Sequence, residues 1–557
     1  MASVLRTLSA ATAGRLWPAL AALAVLLSAS VAAAQSPAAP LPPSADPAAI
    51  GRGLADQQRR VAPERGEPVE PVVSDGAAAP APESDAGLPP VTFELRRVRF
   101  DASAFLAPAE LEAAAAPKIG RQVSLADLRA IAAAVNALYA ARGIPTARAY
   151  VPPQKIVDGE ARIALIEGRL GALRVSGGKY TGDGFARSRL RLVPGEVIDI
   201  VRLRRQIAEF NRNNDSRMQA QLQPGAEIGL TDILVSLTDP PRNEFQTFAN
   251  SYGYESTGRA QAGLSFRRNG LLVSGDRSNL FLSGSDGGLT GSASYSLPIR
   301  NARLGVSYAR SHISITQGPS ADLDIDGVSD TASLNGALPA LGGATWYVTA
   351  LAGASYTAST NRISDAVIGK THLYRGSIGW SLRADLGRSV TLGTTQMFSL
   401  VRARDSLEPG TTGFTAVNLD LSLEARLAPG LRLRVAGAGQ YVGADFVPAS
   451  QLFQIGGPLS VRGFQPGATS GPSGYFAQAE LHYAIRSSKL DPGLFLFVDG
   501  GKTYSKDFGD RGIVAAGAGV RFRIGGFEAQ ATYGVPLTAR RDGEKRGRLD
   551  ASLIFTF

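Results

Sequence analysis

The chain has 557 residues, a net charge of +10, 63 glycines and no cysteine. Its length exceeds a single domain, and sparse charge with abundant glycine suits a large sheet protein better than a helical bundle. Without cysteine there is neither a disulfide framework nor a thiolate metal site, and no basic cluster interleaved with aromatics points to nucleic acid.

Residues 1–34 read as an export signal. Arg6 and Arg15 supply positive charge, Leu16 to Val31 an apolar core, and Ala32-Ala33-Ala34 a small-residue cleavage site before Gln35. That core is shorter than the roughly 20 apolar residues a membrane span needs. No later apolar run is long enough either, so a membrane protein made from this chain must be a closed barrel, in which every backbone polar group finds a partner.

Residues 35–90, rich in Pro, Ala, Ser and acidic side chains, read as a linker. Within it, Asp46 followed by Pro47 forms a cap and first turn for a short helix over about 46–60.

Residues 91–168 and 169–240 read as two copies of a small α+β unit. The first has a strand from Phe93 to Phe100 and a helix from about Ser124 to Ala141. Ser124 and Asp127 make its capping box, Leu125, Leu128, Ile131, Val135 and Leu138 keep helical spacing, and Gly143 ends it. A strand pair follows, Thr146 to Val151 and Ala161 to Glu167, turning at Asp158-Gly159. The second unit repeats the order: strand Leu170 to Ser176, helix Asp199 to Asn213, then strands Met218 to Gln223 and Ile228 to Leu237.

From 241 to 557 the period becomes two. Val417, Leu419, Leu421 and Leu423 alternate with Asn418, Asp420, Ser422 and Glu424, and Val520, Phe522 and Ile524 alternate with Arg521 and Arg523. Charge on one face of many successive strands predicts a wet lumen rather than a packed sandwich. At about 20 residues per strand and connection this span gives about 16 antiparallel strands. The last of them, Leu549, Ala551, Leu553, Phe555 and Phe557, ends on an aromatic.

Late in the barrel stands Gly456-Gly457-Pro458-Leu459-Ser460-Val461-Arg462-Gly463-Phe464, followed by Phe497-Val498-Asp499-Gly500-Gly501. The glycines permit sharp turns, and an arginine presents a fixed fork to a carboxylate. With the segment Gly143 to Gln154 (containing Tyr150, Pro152, Pro153 and Gln154) and Ile166-Glu167-Gly168-Arg169, these motifs resemble the ShlB/FhaC/HecB haemolysin secretion and activation proteins. Those are two-partner secretion transporters of the POTRA–barrel superfamily. The resemblance covers about residues 91–557.

The resemblance implies a membrane all-β barrel behind two POTRA domains, in the outer membrane of a Gram-negative bacterium with the POTRA domains in the periplasm. It implies that Val461, Arg462, Gly463 and Phe464 sit on a loop folded back into the barrel, with Arg462 facing Asp499 of the Phe497-x-Asp499-x-Gly501 wall motif. It also implies substrate recognition near Tyr150, Pro152 and Gln154, a plug helix at 46–60, and an assembly signal at Phe557. The implied partners are a secreted exoprotein with an N-terminal secretion domain, outer-membrane lipid and lipopolysaccharide, and the barrel-assembly machinery, with no nucleic acid. Two alternatives stay open: a barrel-assembly insertase of the same superfamily, and a passive porin-like channel.

An enzyme is not expected, nor a cofactor. Gly501-Lys502-Thr503 lacks the leading glycine of a phosphate loop, since Leu496 stands there. His312, His372 and His482 are widely spaced, with no metal-binding HExxH pattern. No G-x-S-x-G elbow occurs. Asp420 and Glu424 read as solvated lumen residues.

Overall fold

The computed structural model describes residues 47, 50, 51 and 53, the backbone of 73–75, and residues 92–557 apart from 145, 228, 344, 388, 406–409, 445–446, 486–491, 507–508 and 540–544. The export signal and most of the 46–60 helix lie outside the described residues. The described positions of that helix are helical, and Ile50 is buried against Tyr254, Ile313, Ile315 and Ile325.

Val73–Asp75 (β1) is a strand inside the segment expected to be only linker. The first α+β unit then runs Phe93–Leu95 (β2), Arg97–Phe100 (β3), Pro108–Ala115 (α1), Arg121–Val123 (β4), Leu125–Ala141 (α2), Ala147–Tyr150 (β5) and Glu160–Glu167 (β6). The strand expected from Phe93 to Phe100 is broken at Arg96. There the Arg96 and Arg97 amides both donate to the Gly159 carbonyl, at 2.8 and 3.3 Å. Gly159 has φ 71°, and a Cβ there would stand 2.6 Å from the Glu94 carbonyl oxygen, so this turn admits only glycine. β2 consequently pairs with β4, and β3 runs parallel to β6.

α2 starts where its cap dictates. The Asp127 amide donates to Ser124 Oγ and the Ser124 amide to the Asp127 carboxylate, the reciprocal pair of a capping box. Leu128, Ile131, Ala132, Val135 and Tyr139 form its buried face, whereas Leu125 in the first turn is exposed. Tyr139 and Ser103 both donate to the Glu167 carboxylate, so Glu167 ties the helix to the sheet, and burial pushes the Tyr139 hydroxyl up to about 12.

The second unit comprises Arg169–Ser176 (β7), Asp183–Leu190 (α3), Ile200–Asn213 (α4), Arg217–Pro224 (β8) and Leu230–Thr238 (β9), in a sheet ordered β1-β8-β9-β7. α4 is capped by Asp199 and buries Ile200, Leu203, Ile207 and Phe210. Asp239 follows the sheet and accepts from the amides of Lys179, Tyr180 and Thr181. These and the Ser216 hydroxyl hold its carboxyl below the usual range, although burial opposes them. Arg277 on the first barrel hairpins donates to Asp215 at the end of the unit, fixing it to the barrel rim.

The barrel strands are Asn243–Asn250 (β10), Gln261–Asn269 (β11), Arg277–Ser285 (β12), Gly288–Ile299 (β13), Ala302–Ser314 (β14), Ile325–Gly342 (β15), Trp346–Ile363 (β16), Ala366–Leu386 (β17), Val390–Asp405 (β18), Gly410–Ala428 (β19) and Leu431–Val442 (β20). After a long loop carrying Phe453–Ile455 (β21) and Thr469–Gly471 (β22) come Ser473–Ala484 (β23), Gly493–Tyr504 (β24), Arg511–Ile524 (β25), Phe527–Pro536 (β26) and Arg548–Thr556 (β27). Sixteen of these strands, all but β21 and β22, close a barrel of antiparallel neighbours.

Because β10 follows directly on the second α+β unit, even-numbered turns such as Arg300–Asn301 and Gly525–Gly526 share its end of the barrel. The outward face is apolar through its middle (Val306, Leu334, Ile378, Leu400, Leu496, Val498). It is rimmed by Trp346, Tyr483, Phe527, Phe555 and Phe557 at that end and by Tyr308, Tyr374, Tyr441, Tyr475 and Tyr533 at the other. Two aromatic girdles flanking an apolar band are what a transmembrane barrel presents to lipid.

The seam is the shortest pairing. β10 meets β27 only from Gln246 opposite Thr556 to Asn250 opposite Ser552. Phe245 and Phe557 extend it by exchanging two backbone hydrogen bonds of 2.9 Å. At the far end, buried Arg548 donates to Asp550 at 2.9 Å and to Glu255 at 3.1 Å, joining the last strand to the loop after the first.

Candidate functional site: the lid loop and its anchor

The loop between β20 and β23 folds back into the lumen instead of projecting outward. Its small β21–β22 ribbon is tied to the wall by Thr469 and Thr503, whose hydroxyls lie 2.7 Å apart, and by Arg511 donating to the Ala468 carbonyl. The tip is wound tightly. Gly456, Gly457 and Gly463 have φ of 112°, 88° and 88°, and Ser460 Oγ bonds both the amide and the carbonyl of Gly456.

Within that tip each residue of the Val461–Phe464 motif has a physical task. Val461 and Phe464 are buried with Ile455, Phe476, Ile513 and Ala515. Gly463 lies against the wall at Gly534, where a Cβ on Gly534 would come 2.6 Å from the Gly463 nitrogen. Arg462, 3% exposed, reaches Asp499, which is 0% exposed.

Arg462 Nε and Nη2 donate to Asp499 Oδ2 and Oδ1 at 2.6 and 2.7 Å, and the Arg462 amide adds a third bond of 3.1 Å to Oδ2. Nη1 donates to Glu480 Oε1 at 2.5 Å. A buried guanidinium is thus matched by two carboxylates, as burial of charge requires.

The wall motif is explained on one face of β24. The Phe497 ring lies beneath the guanidinium, 3.7 Å from ring centroid to Cζ, in cation–π contact. Asp499 holds the charge. Gly501 clears the neighbouring strand, since a Cβ there would fall 2.5 Å from the Tyr475 carbonyl oxygen. Asp499-Gly500 is mid-strand and not a turn.

Sequence reasoning missed Glu480, His482 and Gly534. His482 Nε2 lies 2.8 Å from Glu480 Oε2 and stacks on Phe495, so it holds the second carboxylate in place. The usable signal was the inward alternation of Gln478, Glu480 and His482 on β23, the strand paired with Asp499's own.

Below the lid, a cavity of about 1180 Å3 runs from Pro458, Leu459 and Arg462 to the turn at Gly525–Gly526. Arg383, Arg434, Arg523, Asp420, Glu424 and Glu528 give it a mixed charged lining. Among the described residues, no three or more His, Cys, Asp or Glu side chains gather as a metal site.

Of the other predicted positions, Tyr150 is exposed at the edge strand β5 and Pro152 is partly exposed just beyond it. The Gln154 side chain exchanges two hydrogen bonds with the Arg162 backbone, at 2.7 and 2.8 Å, and so extends the β6 ladder. Phe557 is exposed at the rim, its ring 5.1 Å from both Phe245 and Phe555.

A family model for the haemolysin secretion/activation protein ShlB/FhaC/HecB matches residues 229–522. The chain belongs to that family. A POTRA domain model of the ShlB type matches residues 93–168, the first α+β unit. Among relatives, the outer membrane transporter CdiB of Dickeya dadantii (strain 3937) is 25% identical over 485 residues, covering 82% of this chain and 85% of the relative. The heme/hemopexin transporter protein HuxB of Haemophilus influenzae (strain 86-028NP) is 24% identical over 473 residues, covering 79% and 82%.

Solved structures show the same fold. CdiB from Escherichia coli aligns with a TM-score of 0.69 at 19% identity, over 94% of this chain and 100% of that one. BamA from Haemophilus ducreyi lacking POTRA domains 1–3 aligns at 0.53 and 15%, over 84% and 100%. Members of the family are outer-membrane transporters, and this chain is accordingly an outer-membrane barrel with its POTRA units in the periplasm. β10 therefore starts at the periplasmic rim, and the end bearing Tyr308 and Tyr374 faces outside.

Proposed function

We propose that this transporter captures a cognate unfolded, β-rich exoprotein through its periplasmic POTRA units and passes it through the barrel to the cell surface or medium. The observation that carries the reading is the Arg462–Asp499 anchor. It holds a folded-back loop across a polar lumen that opens toward the POTRA units, in a barrel with no catalytic constellation among its described side chains. A lid that must be held in one place suits a regulated protein conduit better than a steady solute pore. The Ile50 helix would add a second obstruction, and Phe557 at the seam would serve as the signal read by the barrel-assembly machinery.

In this reading the pair fixes one conformation, the role for which buried ion pairs are best attested. Arg462→Ala is expected to leave the barrel inserted, with normal heat-modifiable migration, while secretion falls. Normal secretion by that variant would remove the lid anchor from the mechanism. The wider reading is tested by comparing culture supernatants with and without the chain by mass spectrometry. Loss of one large β-rich protein supports it. Depletion of several outer-membrane barrels with an unchanged supernatant would favour an insertase instead.

A further inference from the structure

Among the described residues, the lipid-facing wall has a region where apolar residues give way to basic ones. Near the extracellular ends of β14 to β18, outward side chains fall into two cross-strand rows. Tyr308, Ala332, Tyr356, Tyr374 and Arg402 stand opposite one another in register, and Arg310, Asp330, Ala358, His372 and Arg404 form the next row outward. Their outward direction follows from their neighbours. Leu373, Val401 and Ala403, one residue away on the same strands, and Ile313, three residues beyond Arg310, are buried inside the barrel.

The same face continues toward the periplasm with Val306, Leu334, Ala354 and Leu400, then with Leu304, Ala352, Ile378 and Phe398. The basic rows therefore begin where the apolar band stops. The two rows hold three arginines and one carboxylate, Asp330, which takes the Tyr308 hydroxyl at 2.5 Å and Arg310 at 3.3 Å. Tyr356 Oη lies 2.8 Å from His372 Nδ1, and its ring lies 5.0 Å from that of Tyr374. Among the described residues elsewhere at this level, the outward ones are different. Tyr441, Tyr475 and Tyr533 are uncharged, and Lys502 is paired with Asp510 at 3.3 Å.

Arginines on a lipid-facing wall are costly within hydrocarbon and favourable beside anionic headgroups. Guanidinium forks suit phosphate in particular, and tyrosine rings sit well at the level between acyl chain and headgroup. An outward surface on the extracellular half of an outer-membrane barrel meets the outer leaflet, whose glycolipid carries phosphates on its sugar headgroup. We propose that the Arg310, His372, Arg402 and Arg404 face of β14–β18 binds the phosphorylated saccharide of lipopolysaccharide, with Tyr308, Tyr356 and Tyr374 packed along the upper part of its acyl chains. The site would orient one wall of the barrel against ordered glycolipid and leave the seam wall, β27–β10, in contact with unbound lipid. This assignment needs only the outer-membrane location and holds whatever the client is.

The test uses the purified full-length chain in detergent, with diphosphoryl lipid A as the probe and native mass spectrometry as the readout. Lipid A stripped of its phosphates and phosphatidylglycerol serve as comparisons. Wild type should retain diphosphoryl lipid A preferentially over both. Arg402→Ala/Arg404→Ala, checked for folding by heat-modifiable migration, should lose about tenfold or more of that affinity. Lys502→Ala on the opposite wall should lose none. Equal retention of the phosphate-free lipid, equal competition by phosphatidylglycerol, or unchanged binding by the double arginine variant would each overturn the assignment. Should the double variant fail to fold, the lipid comparison on wild type decides the question alone.

Discussion

Arg462 and Asp499 are joined by three hydrogen bonds, two from the guanidinium and one from the arginine's own amide. The anchor thus fixes the loop backbone as well as the side chain. Truncating Arg462 leaves Asp499 buried without its cation, a loss of about 3–5 kcal/mol. Removing both residues should cost less than the sum of the single changes, because Arg462 and Asp499 no longer strand each other's charge and Glu480 keeps its His482 partner. Thermal unfolding of Arg462→Ala, Asp499→Ala and the double variant checks this, and additive losses would show that the pair does not act as a unit.

Gly463 and Gly534 meet backbone to backbone, and both need to lack a side chain. Gly534→Ala should lift the loop tip from β26, and Gly463→Ala should add about 1–2 kcal/mol of left-handed backbone strain. Both variants are expected to expose residues 456–468 to limited proteolysis while the barrel remains folded. A loop as protected as in wild type would show that this contact is dispensable.

Tyr254 touches two elements at once. Its ring packs with Ile50 of the N-terminal helix, and its hydroxyl donates to Gln454 of the lid at 2.8 Å. Tyr254→Phe keeps the packing and removes a hydrogen bond worth about 1 kcal/mol. Gly53→Ala acts by steric conflict instead, since a Cβ there would fall 2.1 Å from Tyr254 Oη. Hydrogen exchange across 453–471 should rise in the first variant, and the helix should be displaced in the second. Because the chain has no cysteine, paired labels at introduced cysteines can follow each movement.

Arg548 is the seam's buried cation, set between Asp550 and Glu255. Arg548→Ala leaves Asp550 only the 3.4 Å contact with Arg259 and should lower barrel stability by about 3 kcal/mol. It is expected to lower the temperature at which heat-modifiable migration is lost. Arg548→Lys, which cannot bridge both partners with a fork, should fall between.

Asp127 in the α2 cap is held down to about 2 from its ordinary 3.8, chiefly by its hydrogen bond to Lys118 and then by Ser124. Its folded value is depressed, so its contribution is complete above about pH 4 and is lost as pH falls through about 2. Asp127→Asn should flatten the acid dependence in that window. The helical far-ultraviolet signal monitors it, because α1–α4 all lie in the periplasmic units.

Much of this architecture is legible in the sequence because it rests on local rules. Period-two alternation gives the barrel and its strand number, and Ser124, Asp199 and Gly143 mark helix ends by their own chemistry. The lid motif names Arg462 and its wall motif names Asp499. Glu480 is hidden because an inward acid on a barrel strand looks like any other lumen residue until the loop returns to it. α1 is short and alanine-rich and α3 is mostly polar, so neither shows a clear apolar stripe. β1 has no local signal at all; Val73–Asp75 is extended because β8 offers it an edge.

That borrowed strand changes what the periplasmic sheets can offer. β8 is already paired along Val73–Asp75. On β5 the Asn136 amide occupies the outward groups of Ala149, at 2.7 and 3.0 Å, and on β7 the Leu173 carbonyl accepts from Arg187. An extended polypeptide joining these edges must trade places with a group already bonded there, so the hydrogen bonds it gains are offset by those it breaks. Such an exchange holds its guest weakly and returns the edge to its resident as soon as the guest is drawn onward. A conveyor needs that reversibility more than it needs tight grip.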